Sequence, residues 1–358
     1  MKILLLGGTG AMGTHLAHLL ADRGDNLYIT TRGVRVNEGN IYFLQGNAHD
    51  NEFLSSLLKD DYWDAIVDFM VYDTNEFQRR KNLLLSATGQ YVFISSARVY
   101  AECNGLITED SPRLLDVCSD KSYLETDEYA LTKARQENIL FNSGKNNWTI
   151  IRPYITFSEN RLQLSSAEKE QWLYWALLFG KTIYFSHDLA DRYTTLTYGL
   201  DVARGIASII GSERAYGQAF HITSDDSYRW SEILDTYIDV INKKTGKELE
   251  VKFLENWQPL IGGGELQVKW DRLYDRRFDN SKIKQFIDTT SFQPTLAALS
   301  NCMTCFLNNP RFSAVNWWYQ AQRDKVDGEW TSIKKIKGLK QKTKYLLVRL
   351  DLYHYIKK

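Results

Sequence analysis

The sequence predicts an α/β fold, a doubly wound parallel sheet with a smaller C-terminal unit interleaved with it. Three observations carry that prediction. The chain opens on an apolar run, Ile3 to Leu6, that passes directly into Gly7-x-x-Gly10-x-x-Gly13. Strand-like and helix-like stretches then alternate through the first half, as in a parallel sheet with helices on both faces. Past Pro153 that alternation gives way to longer apolar and amphipathic stretches, which mark the smaller unit.

Taken in order, Ala11 to Arg23 carries Met12, Leu16, Leu19 and Leu20 at near-helical spacing and stops at Gly24. Asn26 to Thr31, Ile41 to Leu44, Ala65 to Met70, Tyr91 to Ser95 and Trp148 to Arg152 read as strands, the last ended by Pro153. Asp50 to Lys59 and Glu76 to Ala87 supply crossover helices between them. Beyond Pro153, Gln171 to Phe179 reads as an apolar helix, Tyr198 to Ile210 as a helix of the main unit and Ala219 to Ile222 as a further sheet strand. Trp230 to Asn242 is amphipathic, and Ile261 to Gly264 is a glycine-rich turn. The expected division is 1–152 with about 193–223 for the sheet unit, 153–192 with 224–330 for a lid, and 331–358 as a basic amphipathic tail.

A chain of 358 residues with 44% hydrophobic and 25% charged residues is ordinary for a globular protein with a large core. Its 44 basic and 44 acidic residues cancel, leaving no global field to draw in nucleic acid. No run approaches the roughly 18 apolar residues of a membrane span. The opening apolar run is consumed by the glycine motif rather than by a signal peptide, so the expected location is cytoplasmic.

The glycine motif points to a ligand. A dinucleotide pyrophosphate needs backbone N–H groups at a helix N-terminus with no Cβ in the way. The turn Gly7, Thr9, Gly10, Ala11, Met12, Gly13 meets that need at the start of a first strand–helix unit. Further along, Tyr129-Ala-Leu-Thr-Lys133 places a phenol and an ammonium on one helix face, behind Thr126, Asp127 and Glu128, which suit a helix N-terminus. A cation beside a phenol lowers its pKa from about 10 toward neutrality, as an acid or base at a carbinol requires. Ser95 and Ser96 end a strand at the sheet edge where ligands lie, and a hydroxyl there can share a proton with Tyr129.

In order, GGTGAMG at Gly7 to Gly13, GNAHD at Gly46 to Asp50, FISSARVY at Phe93 to Tyr100, ITEDSP at Ile107 to Pro112, YALTK at Tyr129 to Lys133 and IIRP at Ile150 to Pro153 resemble the extended short-chain dehydrogenase/reductase family. That family has a Rossmann sheet and includes nucleotide-sugar epimerases, dehydratases and ketoreductases. The resemblance covers roughly Met1 to Thr223. It implies Ser96 as the catalytic hydroxyl, Tyr129 as acid/base, and Lys133 as the group that holds the nicotinamide ribose and depresses the tyrosine pKa. It also implies adenine contacts from Asn47 and Ala48, cofactor contacts along Phe69, Met70 and Val71 and at Pro153, and substrate contacts at Ser96, Tyr154 and Arg192. For Arg192 the register is off by two residues.

Departures from the family pattern narrow the expectation. Where members selective for NAD carry an acidic residue after the second strand, this chain has Thr30-Thr31-Arg32, with Arg35 close by. An arginine cannot accept from a ribose hydroxyl but pairs with a 2′-phosphate, which favours NADP and leaves NAD open. The Asp-Glu pair of the sugar dehydratases is Ala97-Arg98 here, which disfavours dehydration by their route. The family's asparagine after Arg-Pro is Ile155, and its Tyr-Gly-Pro turn is Phe157-Ser158-Glu159. The expected activity is reduction of a 4-keto nucleotide sugar by a Ser/Tyr/Lys proton relay. A 4-epimerase is the alternative, and a non-catalytic binding protein on the same fold is the rival of another class.

Other candidates carry less. His15 and His18 share a face of the first helix without an acidic or cysteine partner, so no metal site is expected. Cys302 and Cys305 read as unlinked helix cysteines, and Trp172, Trp175, Trp230, Trp257 and Trp270 mainly as lid core. From Lys334 to Lys358 the chain holds eight lysines and one arginine against one aspartate, interleaved with Tyr345, Leu346, Leu347, Leu350, Leu352 and Tyr353. That segment suits an anionic membrane, an acidic partner, its own protein or a second subunit of a homodimer.

Overall fold

The structure is a computed structural model that describes residues 1–59, 62–165, 171–180, 182–258, 264–312, 315–326 and 328–352. Its centre is a sheet of seven parallel strands: β1 (Lys2–Leu6), β2 (Asn26–Thr31), β3 (Ile41–Gln45), β4 (Trp63–Asp68), β5 (Thr88–Ile94), β6 (Trp148–Pro153) and β7 (Gln218–Ile222). Their spatial order is β7-β6-β5-β4-β1-β2-β3, so the winding reverses between β1 and β4. Ligands in such sheets bind beyond the carboxyl ends of the strands at that reversal.

Period-two alternation within the apolar run Ile3 to Leu6 explains how both faces are covered. Ile3 and Leu5 of β1 pack into one core with Leu16 and Leu20 of α1 (Gly13–Asp22). The same core takes in Ile206 and Ile209 of the later helix Gly199–Ile209. Leu4 and Leu6 face the opposite core with Leu54 of α2 (Asn51–Lys59) and Phe77 and Leu84 of α3 (Thr74–Ser86). Leu140 of α4 (Tyr129–Phe141) joins that second core. The helix Gly199–Ile209 is α5.

Two predicted boundaries move for local reasons. The strand read as Ala65 to Met70 ends at Asp68, whose carboxylate accepts from Met70 N at 2.9 Å and turns the backbone. The helix read from Glu76 begins at Thr74, because Asp73 caps it by accepting from Glu76 N at 2.6 Å.

Two compact units share the chain. One is Met1–Ser158, Thr195–Ser227 and Arg276–Thr295; the other is Glu159–Thr194, Tyr228–Asp275 and Leu296–Lys358. In the first, Ile283 and Phe292 of the Arg276–Thr295 stretch are buried in the sheet core beside Phe220. The second contains α6 (Trp230–Thr245), α7, the helix Thr295–Asn308 that opens on the last residue of the first unit, α8 (Trp317–Val326) and α9 (Leu339–Arg349). The single helix expected over Gln171 to Phe179 is one α turn followed by wider π-helical turns from Tyr174 to Leu178. Trp172 and Trp230 are buried, with Trp172 Nε1 donating to Leu162 O at 2.9 Å, whereas Trp175, Trp257 and Trp270 are only partly covered. Of the glycine-rich turn, 261–263 lies outside the described residues and Gly264 takes φ +96°.

The tail contributes α9, whose Tyr345 and Val348 are buried with Trp317, Ala321 and Ile336. Residues 353–358 lie outside the described residues. No described helix is long and apolar enough to cross a membrane.

Candidate active site

The glycine turn follows β1 at the reversal point. Gly7 has φ +70°, and a Cβ there would stand 2.8 Å from Met70 Sδ, so the turn and the end of β4 touch because the residue is glycine. A Cβ on Gly13 would lie 2.5 Å from Gly8 O, which packs the start of α1 against the turn. At Gly10 a Cβ would meet nothing within 4 Å. Met12 caps α1 without a side-chain acceptor, and the first turn of α1 carries no acidic residue. An uncapped helix N-terminus behind an open glycine fits a pyrophosphate.

Beyond the carboxyl ends of β1 to β4 lies a groove of about 710 Å³. It gathers Gly7 and Thr9 after β1, Thr31, Arg32 and Arg35 after β2, Asn47 and Ala48 after β3, and Phe69, Met70 and Val71 after β4. Among the residues lining it there is no carboxylate. The Arg35 guanidinium lies 5.6 Å from the centre of the Phe43 ring. Thr30 also borders the groove, but its hydroxyl accepts from Gly7 N at 2.9 Å and ties β2 to the glycine turn.

Sequence reading missed the residue that shapes the loop after β3. Buried Arg80 of α3 donates to Ala48 O at 2.8 Å, to His49 O and to Asn51 Oδ1 at 2.8 Å, and pairs with Glu76 at 3.0 Å. The i, i+4 pattern of α3 accounts for the pair with Glu76, but nothing in it foretells the bonds to Ala48 and His49.

The second cluster is built where β5 ends. The two serines diverge: Ser95 Oγ donates to Glu137 Oε1 at 2.7 Å, while Ser96 Oγ accepts from Arg98 N at 3.2 Å and starts a short turn, Ala97–Val99. Lys133 is 2% exposed, its ammonium donating to Ile94 O at 2.8 Å and standing 5.9 Å from the centre of the Tyr129 ring. Burial lowers its pKa to about 8, while the carboxylates of Asp68 and Glu137 act in the opposite direction. Tyr129 opens α4 and remains 37% exposed. Arg98 lies with its guanidinium 5.4 Å from the centre of the Tyr129 ring and forms an ion pair with Glu128. Glu128 caps α4 by accepting from Ala130 N at 2.7 Å.

Beneath this cluster runs a buried polar network. Arg152 grips Glu137 with two bonds of 2.8 Å and donates to Tyr100 Oη at 3.0 Å. Tyr100 Oη in turn lies 3.3 Å from His221 Nδ1. Asp68 accepts from Tyr91 Oη at 2.8 Å, and burial raises its pKa despite that bond. The family motif had marked Arg152, but its partner Glu137 lies on α4 and is adjacent only in the fold.

The remaining predicted residues are dispersed. Pro153 is the buried last residue of β6, beside Ile222, and Tyr154 is buried with its ring 5.4 Å from that of Phe278. Arg192 is exposed in the second unit, immediately before the short strand Tyr193–Thr194. His15 makes an edge contact with Tyr198, His18 is exposed, and no group of three metal-ligating side chains occurs among the described residues. Cys302 and Cys305 are free thiols on α7.

A parallel sheet whose glycine turn sits at the winding reversal, with an open groove beyond four strand ends, is the architecture of dinucleotide-binding α/β proteins. The chain belongs to the NAD dependent epimerase/dehydratase family, whose model matches residues 3–222. It is 25% identical over 239 residues to the chloroplast stem-loop binding protein of 41 kDa b of Arabidopsis thaliana, covering 63% of this chain and 59% of that protein. It is 29% identical over 134 residues to a UDP-glucose 4-epimerase of Lactobacillus helveticus, covering 31% of this chain and 41% of the epimerase. The matched region therefore spans about half the length of these relatives. The solved structure of UDP-glucuronic acid 4-epimerase from Bacillus cereus, in complex with UDP-glucuronic acid and NAD, shares the fold at a TM-score of 0.62. Its identity to this chain is 18%, covering 87% of this chain and 100% of that one.

Proposed function

We propose that the protein is an NADP(H)-dependent oxidoreductase that reduces the 4-keto group of a nucleotide-linked sugar. The observation that carries this reading is Lys133. An ammonium held at 2.8 Å by Ile94 O and 2% exposed is costly to bury, and it stands on the same helix face as a half-exposed phenol.

The bound dinucleotide supplies the hydride. Reduction of a ketone leaves an alkoxide that needs a proton, and Tyr129 is the group to give it. Lys133 stabilises the phenolate left behind, and Ser96 donates to the same substrate oxygen. Gly10 and the uncapped start of α1 take the pyrophosphate, and Asn47 and Ala48 border the adenine. Arg32 and Arg35, in a groove lined by no carboxylate, support a 2′-phosphate and hence NADP over NAD. The substrate side is assigned to Ser96 and Tyr154, which belong to the unit that carries the groove.

The second reading is a 4-epimerase, favoured by the family and by the likeness to a UDP-glucose 4-epimerase. An epimerase oxidises and re-reduces one sugar and so keeps its cofactor. Purified protein that turns over UDP-sugars with tightly held NAD and no added cofactor establishes the epimerase. A non-catalytic binding protein is the third reading, in keeping with the stem-loop binding relative. Tyr129→Phe tests catalysis itself: turnover of NADPH with keto sugars is expected to fall by about a hundredfold or more with cofactor affinity kept. Unchanged turnover overturns the role of Tyr129. Silence of the wild type across a broad panel, with salt-dependent RNA binding, supports the third reading.

A further inference from the structure

We propose that α9 is a docking surface for an anionic membrane. Between Thr331 and Leu350 the chain carries six lysines, one arginine and no acidic residue. Among the described residues, no carboxylate pairs with Lys334, Lys337, Lys340, Lys342 or Lys344.

The apolar residues of α9 divide between two sides. Tyr345 and Val348 are spent on the unit's own core with Trp317, Ala321 and Ile336, and Leu346 packs partly against that core. At about 100° per residue, Leu339, Thr343, Leu347 and Leu350 fall within an arc of about 80° on the opposite side. Leu339 is 80% exposed and Leu350 50%, and Leu352, just past the helix, is 43% exposed. Lys340 and Lys344 flank this leucine stripe on one side and Lys342 on the other. An outward apolar ridge flanked by lysines on both sides is the pattern of a helix lying in the headgroup layer.

The same pattern argues against other occupants. A nucleic acid backbone would use the lysines but leave the leucines facing phosphate. A two-fold contact with a second copy would bury the leucines but set lysines against lysines, with no acidic residue in the segment to offset them. An anionic bilayer satisfies both the flanking lysines and the ridge.

The test is flotation of the full chain with phosphatidylcholine vesicles, with and without a quarter phosphatidylglycerol. Binding to the anionic vesicles alone, weakened by salt, is expected. Lys340→Gln/Lys342→Gln/Lys344→Gln is expected to weaken it by about fivefold per lysine. Leu339→Ser/Leu350→Ser is expected to weaken it with no change in melting temperature, because both residues are exposed. Equal binding to neutral vesicles, or a triple lysine variant that binds as the wild type does, overturns the proposal. So does retention of single-stranded RNA without vesicle binding, or a dimer in light scattering that Leu339→Ser/Leu350→Ser dissociates.

Discussion

Ser95 donates to Glu137 at 2.7 Å, whereas its neighbour Ser96 makes no such bond and instead accepts from Arg98 N. Adjacent residues at a strand end point to opposite sides, so one hydroxyl is committed to the buried Arg152–Glu137 pair and the other stands on the Arg98 side. Ser95→Ala is expected to cost about 1–3 kcal/mol of stability, by removing a donor from a buried carboxylate, with turnover kept. Ser96→Ala is expected to leave stability within about 1 kcal/mol while turnover falls by about a hundredfold. Urea unfolding and steady-state assays on both variants check the contrast, and a reversed pattern would reassign the catalytic hydroxyl.

Arg80 holds the loop after β3 by its carbonyls rather than by side chains. Arg80→Met is expected to lower stability by about 1–3 kcal/mol, because the buried carbonyl of Ala48 loses a charged donor. It is also expected to weaken NADH and NADPH binding alike, since the loop it holds carries Asn47 and Ala48, proposed to border the adenine common to both. Fluorescence titration of the two cofactors checks this. A loss confined to NADPH would place Arg80 at the phosphate instead.

Arg32 tests cofactor choice from the other end of the groove. Arg32→Ala is expected to weaken NADPH binding by about 1.5–3 kcal/mol, a charge-assisted contact, and to leave NADH nearly unaffected. The effect should shrink with added salt, since Arg32 is exposed. Equal losses for both cofactors would mean that Arg32 does not read the phosphate.

His221 makes stability pH-dependent. Burial, with Arg152 and Lys282 nearby, lowers its pKa to about 4 against the carbonyl of Asp279, which acts the other way. The unfolded chain binds the proton first, so the neutral ring's contribution is complete above about pH 6.5 and is lost as the pH falls toward 4. The loss amounts to about 3 kcal/mol. Unfolding free energies at stepped pH should fall through that window in the wild type and flatten in His221→Gln; parallel slopes would remove His221 as the cause.

Much of the sheet and one side of the groove were legible in the sequence because their signals are local. A strand feeding glycines, a change of period at each crossover, and Tyr129 with Lys133 at i, i+4 are all contained within a few residues. Arg32 and the absence of a carboxylate after β2 were legible for the same reason. Arg80, the Ser95–Glu137 bond and the Arg152–Glu137–Tyr100–His221 network were not, because each joins residues separated in sequence through contacts that only the fold brings together.

The basic tail divides along the same line. Composition and the interleaving of apolar residues established that Lys334 to Lys358 would be basic and amphipathic. Which apolar residues the protein keeps for itself depended on Trp317, Ala321 and Ile336 filling one side of α9. Periodicity defines how residues are arranged around a helix; the partner that packs against one side, and therefore the side left for solvent, exists only in the tertiary structure.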